Sequence, residues 1–120
     1  MPWPCRLVSA ASSPKEVGDV WLSWTLDGVD LRPFLSREYT RDWEGVRPPH
    51  IVRLPGPVDV CLDREVDDEN GHGWTVRGYV HTLTVTPSVN ILGVYHGFIR
   101  NGVVTDDCQG RHRPSGTTPP

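Results

Sequence analysis

Asn101-Gly102, set between two runs in which apolar and polar residues alternate, constrains this chain more than any other pair. Both residues accept the positive φ angles of a two-residue hairpin turn, and a period of two puts one face of each flanking run toward a core. The pair therefore predicts strand, turn, strand. The same alternation predicts strands over 74–79, 80–86, 91–100 and 103–104, and over His50–Leu54 and Val58–Leu62, joined by Pro55-Gly56-Pro57. Val20 to Leu26 reads as a further half-buried strand ended by Asp27-Gly28, with Trp21 and Ser23 on one face and Val20, Leu22, Trp24 and Leu26 on the other. Twelve prolines and twelve glycines disfavour long helices. The one helical signal lies at about residues 36–44, where Ser36 can cap, Gly45 can stop, and Tyr39 and Trp43 share a face. The expected fold is mostly β, a small antiparallel β-sandwich or partly open barrel with that one short helix.

A chain of 120 residues holds one domain. Residues 1–17 read as an extended N-terminal arm with a strand candidate at Arg6-Leu-Val. Residues 18–108 form the single β-rich domain, and 109–120 are a Pro/Arg-rich tail expected to be disordered. A net charge of -3 offers no basic face for nucleic acid. No secretory signal pattern occurs at the N-terminus, and no apolar run is long enough to span a bilayer. Cys5, Cys61 and Cys108 are odd in number and far apart, which predicts reduced thiols in a cytosolic setting and no disulfide framework.

Chemistry-bearing patterns are sparse. Asp63 to Gly73 is acidic, but as a calcium loop starting at Asp63 it carries Asp68 at the glycine position and Trp74 at the closing glutamate position, so an exposed solvated loop is expected. Asp106 and Asp107 are neighbours on a strand end and so point to opposite faces. No nucleophile elbow, phosphate loop or His-Glu-x-x-His helix occurs. Cys61, His81, His96 and Cys108 are zinc-type ligands in or beside predicted strands, but they lack the close pairing of structural zinc sites. Hydrogen-bonded histidines and plain buried cysteines are the favoured reading of the four, and Cys108 with His96 as nucleophile and base is the weakest.

Leu35 to Pro49, Gly73-Trp-Thr-Val-Arg-Gly78, Thr84-Val-Thr-Pro-Ser88 and Tyr95 to Asp107 resemble a group of small uncharacterised proteins from phages of actinobacteria. The chain is similar, more distantly, to a phage and bacterial family of unknown function with a Cys-Pro-x-Cys knuckle, a Trp…Pro-Ser hairpin, a Cys-His-Ser-Phe-Ile-like strand and a late Asp-Cys. That resemblance implies a metal site, with Cys61 at the knuckle, His96 on the strand and Cys108 as the late cysteine. The chain departs from the pattern in lacking the second knuckle cysteine and in carrying Tyr95 before the histidine. The leading expectation is a phage-encoded β protein that works by binding a host or phage protein, as an accessory factor in the host cytoplasm or as a minor virion component. Trp21, Tyr39, Trp43 and Tyr95 are its candidate surface, and no cofactor or a single zinc ion its complement. The alternative is a zinc-dependent hydrolase or peptidase-like protein using Cys61, His96 and Cys108.

Overall fold

Alternating strands leave one apolar face each, and here two sheets bury those faces against each other. The computed structural model describes residues 2–11, 15–34, 48–62 and 74–110. Strands β1 (Trp3–Pro4), β8 (Thr75–Arg77), β9 (Thr84–Ile91), β10 (Tyr95–Arg100) and β11 (Val103–Val104) form a five-stranded antiparallel sheet in the order β1-β11-β10-β9-β8. Strands β2 (Arg6–Leu7), β3 (Asp19–Leu22), β6 (His50–Leu54) and β7 (Val58–Cys61) form a four-stranded sheet in that order, antiparallel except for the parallel pair β2 and β3. A small hairpin, β4 (Thr25–Leu26) and β5 (Val29–Asp30), turns at Asp27-Gly28. The molecule is mostly β, and among the described residues every strand pair but β2 and β3 is antiparallel.

Side chains from both large sheets meet in one core. Val20, Val52, Leu54 and Val60 come from the four-stranded sheet, and Val76, Val85, Val89, Tyr95, Ile99 and Val104 from the five-stranded one. The alternate residues of the four-stranded sheet are also covered. Trp21, Ile51 and Cys61 form a second core with Leu31, flanked by Val8 and Leu26. This sheet is thus a middle layer buried on both faces, and the five-stranded sheet is the antiparallel kind that keeps one face toward solvent.

One extended run, Trp3 to Val8, serves both sheets. Trp3 and Pro4 pair with β11, the buried Cys5 donates its amide to the Gly102 carbonyl at 2.7 Å, and Arg6 and Val8 then donate to the Gly18 and Val20 carbonyls of the other sheet. The Asp19 carboxylate, buried at the start of β3, accepts from the Arg6 guanidinium and the Glu16 amide and so ties the arm down. The expected arm is therefore a structural strand that changes sheets.

Asn101 and Gly102 take φ values of 49° and 74°, as the predicted hairpin turn requires. The Gly102 amide also donates to the Leu83 carbonyl at 2.8 Å, and a Cβ at this glycine would overlap the His81 backbone. Gly102→Ala is expected to cost about 2–3 kcal/mol in urea unfolding, from the left-handed penalty plus a clash with backbone that cannot swing away. Asn101→Ala, which meets only the backbone penalty, should cost about 1 kcal/mol.

Three strand expectations need correction, the first being that 91–100 is not one strand: Leu92, Gly93 and Val94 form the turn between β9, which ends at Ile91, and β10, which starts at Tyr95. The run predicted as one strand over 20–26 breaks at Ser23, whose hydroxyl accepts from the Thr25 amide and donates to the Thr25 carbonyl. A side chain that bonds its own backbone nearby competes with ladder pairing. The strand predicted over 80–86 begins only at Thr84, because Val80–Thr82 is a 3-10 turn. The short helix expected at about residues 36–44, the acidic loop over 63–73 and the tail beyond Gly110 lie outside the described residues. Among the described residues no helix is long and apolar enough to cross a membrane.

Candidate binding surface at one end of the sandwich

The motif-bearing stretch Tyr95 to Asp107 is spent on holding the sheet edge. Tyr95 is fully buried, and its ring runs over Gly97, two residues on along the same face, so that its hydroxyl donates to the Thr105 carbonyl at 2.8 Å. Beyond β11 the chain continues beside β10 with side chains standing in as acceptors. The Thr105 hydroxyl accepts from the Phe98 amide at 2.9 Å, and the Asp107 carboxylate accepts from the His96 amide at 3.3 Å and the Gln109 amide at 2.9 Å. The Cys108 amide donates to the His96 carbonyl at 2.6 Å. Asp107 is thus a buried turn former that satisfies β10. The motif Thr84-Val-Thr-Pro-Ser88 has a similar explanation. Val89 pairs with Gly97 and Val85 with Ile99, so three residues of β9 oppose Phe98 alone, and Pro87, which has no N–H to offer a ladder, falls in that bulge.

The four metal-type residues are not gathered. Cys61 is buried in the second core between Trp21, Leu31 and Ile51. His81 is exposed on the 3-10 turn, and Cys108 is exposed past β11. The His96 ring lies on the outer face of the five-stranded sheet, its Nε2 bonded to the Ser88 hydroxyl at 3.0 Å. Among the described residues no three His, Cys, Asp or Glu side chains group as one ion would need. The set, as placed, does not fit a shared zinc ion.

The aromatic surface proposed from sequence also changes. Trp21 is 6% exposed in the second core, with the Lys15 ammonium 4.7 Å above its ring, and Tyr95 is 0% exposed, so neither is offered to a partner. Tyr39 and Trp43 lie outside the described residues. Beside Trp21 a hollow of about 280 Å³ is lined by Lys15, Asp27, Arg53 and Asp59, but Arg53 and Asp59 are paired across β6 and β7. The Lys15 ammonium also donates to the Ala10 carbonyl at 3.0 Å.

Burial sets the titration of two of these groups. It pushes the Cys5 thiol from 9.0 to about 11 and the Tyr95 phenol from 10.0 to about 12, the nearby Cys108, Asp107 and Asp106 adding to the latter. Both folded values are raised, so the neutral forms contribute stability in full below the unfolded values and lose it as pH rises through the folded ones. Urea midpoints of the protein should hold to about pH 9 and fall steadily toward pH 12. Tyr95→Phe should flatten the upper part of that decline.

Among the exposed apolar residues, Leu7 and Tyr79 come from segments that lie side by side. Leu7 is 48% exposed and lines an open hollow of about 420 Å³ with Val8, Ser9, Ala10 and Leu22. Leu22 pairs with His50, whose ring meets the edge of Tyr79 at 5.4 Å between centroids, and Tyr79 is 45% exposed. The 3-10 turn Val80–Thr82 that follows Tyr79 lies beside β2 and closes the ring. This turn is strained: Val80 has φ 41°, a left-handed value that costs a β-branched residue about 1–3 kcal/mol. It is held there by burial of the Val80 side chain, by the Tyr79 amide donating to the Thr82 hydroxyl at 3.1 Å, and by the Thr82 amide donating to the Tyr79 carbonyl at 3.1 Å. Sequence reasoning missed Leu7, Leu22 and Tyr79 because no local signal shows which apolar residues the second layer leaves uncovered.

Comparison with known proteins adds no relative: no family model, no curated protein and no solved structure matches the chain.

Proposed function

We propose that this protein acts by binding another protein through the end of the sandwich that carries Leu7, Leu22 and Tyr79. The observation that carries the reading is an open hollow between the run Leu7 to Ala10 and Leu22, with the half-exposed Tyr79 reached through His50 and followed by a backbone turn held in a costly conformation. Single exposed apolar residues are ordinary, whereas a contiguous group marks a contact surface. Strain retained by surrounding packing is a feature of ligand clamps, and a turn already fixed in place loses little freedom when a partner docks. The resemblance of the sequence to phage proteins supports a partner from the infected host or from the particle, with the protein as accessory factor or minor virion component.

The test is a comparison of variants. Proteins retained by the immobilised native chain are identified, purified and titrated against Leu7→Ser/Tyr79→Ser and against Leu92→Ser. Leu92 is 85% exposed on the β9–β10 hairpin and serves as an apolar control elsewhere. Loss of a central aromatic anchor commonly costs 2 kcal/mol or more, so a fall in affinity of about 30-fold is expected for the double variant and none for the control. Unchanged affinity of the double variant for every retained protein removes the reading.

A further inference from the structure

We infer that Asn101-Gly102 is a conditional modification site: the folded chain shuts it against succinimide formation, and deamidation by water proceeds only when the β10–β11 hairpin opens. In this reaction the Gly102 nitrogen loses its proton to base and attacks Cγ of Asn101. The N–Cγ bond forms, the Cγ–Nδ2 bond breaks, and ammonia leaves. Water then opens the ring at either carbonyl, giving aspartate or isoaspartate. Asparagine followed by glycine is the sequence most open to this chemistry, because glycine has no side chain to shield its nitrogen. By sequence alone, Asn101 is therefore expected to deamidate readily.

In the folded chain the electrophile is within reach of water and the nucleophile is not. Asn101 is exposed, whereas Gly102 is buried. The Gly102 amide donates to the Leu83 carbonyl at 2.8 Å, so the proton that must leave is held. Bringing that nitrogen against Cγ also requires the Asn101–Gly102 peptide to rotate about the Asn101 Cα–C bond. The neighbours on both sides resist this. The Asn101 amide donates to the Thr84 hydroxyl at 3.0 Å, and the Gly102 carbonyl accepts from the Cys5 amide at 2.7 Å. Gly102 also lies so close to the 3-10 turn that a Cβ on it would stand 2.3 Å from the His81 carbonyl oxygen. The clamp thus draws on the N-terminal arm, the 3-10 turn and the start of β9. A buried, bonded amide reacts only through local opening, as it does in hydrogen exchange. Aspartate as product suits the same turn, since Asp-Gly adopts it as Asn-Gly does. Isoaspartate instead routes the main chain through the side-chain methylene. Gly102 can then no longer meet Leu83 and Cys5 together, and a hairpin that reacted while open does not close as before.

The experiment incubates the intact chain at mildly alkaline pH, with and without denaturing urea, and follows the amide-to-acid mass change at Asn101. Trypsin separates this residue, in the peptide between Arg100 and Arg111, from the pair Asn70-Gly71, which lies outside the described residues. Hydrogen exchange of the Gly102 amide is measured on the same native sample. Asn101 is expected to react at least about tenfold more slowly in the native chain than in urea, and its rate should rise in step with Gly102 exchange as sub-denaturing urea is added. Native deamidation within about twofold of the unfolded rate overturns the inference, and so does a Gly102 amide that exchanges without protection. In an Asn70→Asp background, the isoaspartyl product is then isolated and refolded. Its urea midpoint should fall below that of Asn101→Asp, and equal midpoints overturn the lasting effect of the reaction.

Discussion

Gly97→Ala is expected to destabilise the domain by about 3–5 kcal/mol, the largest effect of any single methyl group added to this chain. A Cβ at Gly97 would overlap the hydroxyl end of the Tyr95 ring and stand 3.0 Å from the Thr105 hydroxyl. Tyr95 cannot move aside cheaply, because it is fully buried and its hydroxyl donates to the Thr105 carbonyl. Overpacking alone costs about 1–3 kcal/mol, and expelling the ring approaches the cost of deleting a core aromatic, about 3–5 kcal/mol. A double-mutant cycle separates this clash from an effect on strand propensity. With Tyr95→Val in place, Gly97→Ala should cost less than about 1 kcal/mol, because residues in contact are coupled and the obstacle is gone. Equal costs in both backgrounds, read from urea midpoints, would falsify the account.

Removal of residues 2–8 is expected to abolish cooperative folding, although the sequence marks this stretch as an arm outside the domain. The deletion takes away the edge strand of each sheet, the buried Cys5 and the Trp3 packing against the main core. It also strips the Arg6 partner from Asp19, a buried carboxylate. Burial of Trp3 and Cys5 alone contributes on the order of 3 kcal/mol, and a carboxylate that loses its cation inside a fold is costly again. Domains of this size are stable by only about 5–15 kcal/mol in all. The shortened chain should show no sigmoidal urea transition and poorly dispersed amide resonances. A sharp transition within about 1 kcal/mol of the full chain would mean that the two sheets close without their shared strand.

The local parts of the fold were legible because strand geometry writes a period of two into the sequence. His50–Leu54 is found at its predicted bounds, and Asn101-Gly102 turns where positive φ is tolerated. Where alternation met a competing local bond or a tertiary demand, the reading failed in a definable way. Ser23 bonded its own backbone and ended a strand early, and tertiary packing of Val80 drove a β-branched residue into a left-handed turn that its propensity opposes.

The candidate site was much less legible, because exposure is not a property of a residue's own neighbours in sequence. Alternation correctly separated Trp21 from Val20, but a face called open by pattern was closed by Leu26 and Leu31 from the small hairpin and its exit. Tyr95 was offered as a surface aromatic and proved to be the roof of Gly97, a contact two residues away that alternation cannot tell from an outward ring. Leu7 drew no attention within Arg6-Leu-Val, yet it is the residue left half-open when the N-terminal run changes sheets at Cys5. By itself, the sequence determined that the chain makes short antiparallel strands and where its tightest hairpin turns, since φ preference and side-chain alternation act over one or two residues. Only the tertiary structure decided which faces are covered and which apolar residues stay exposed, since burial depends on what distant segments bring to a surface.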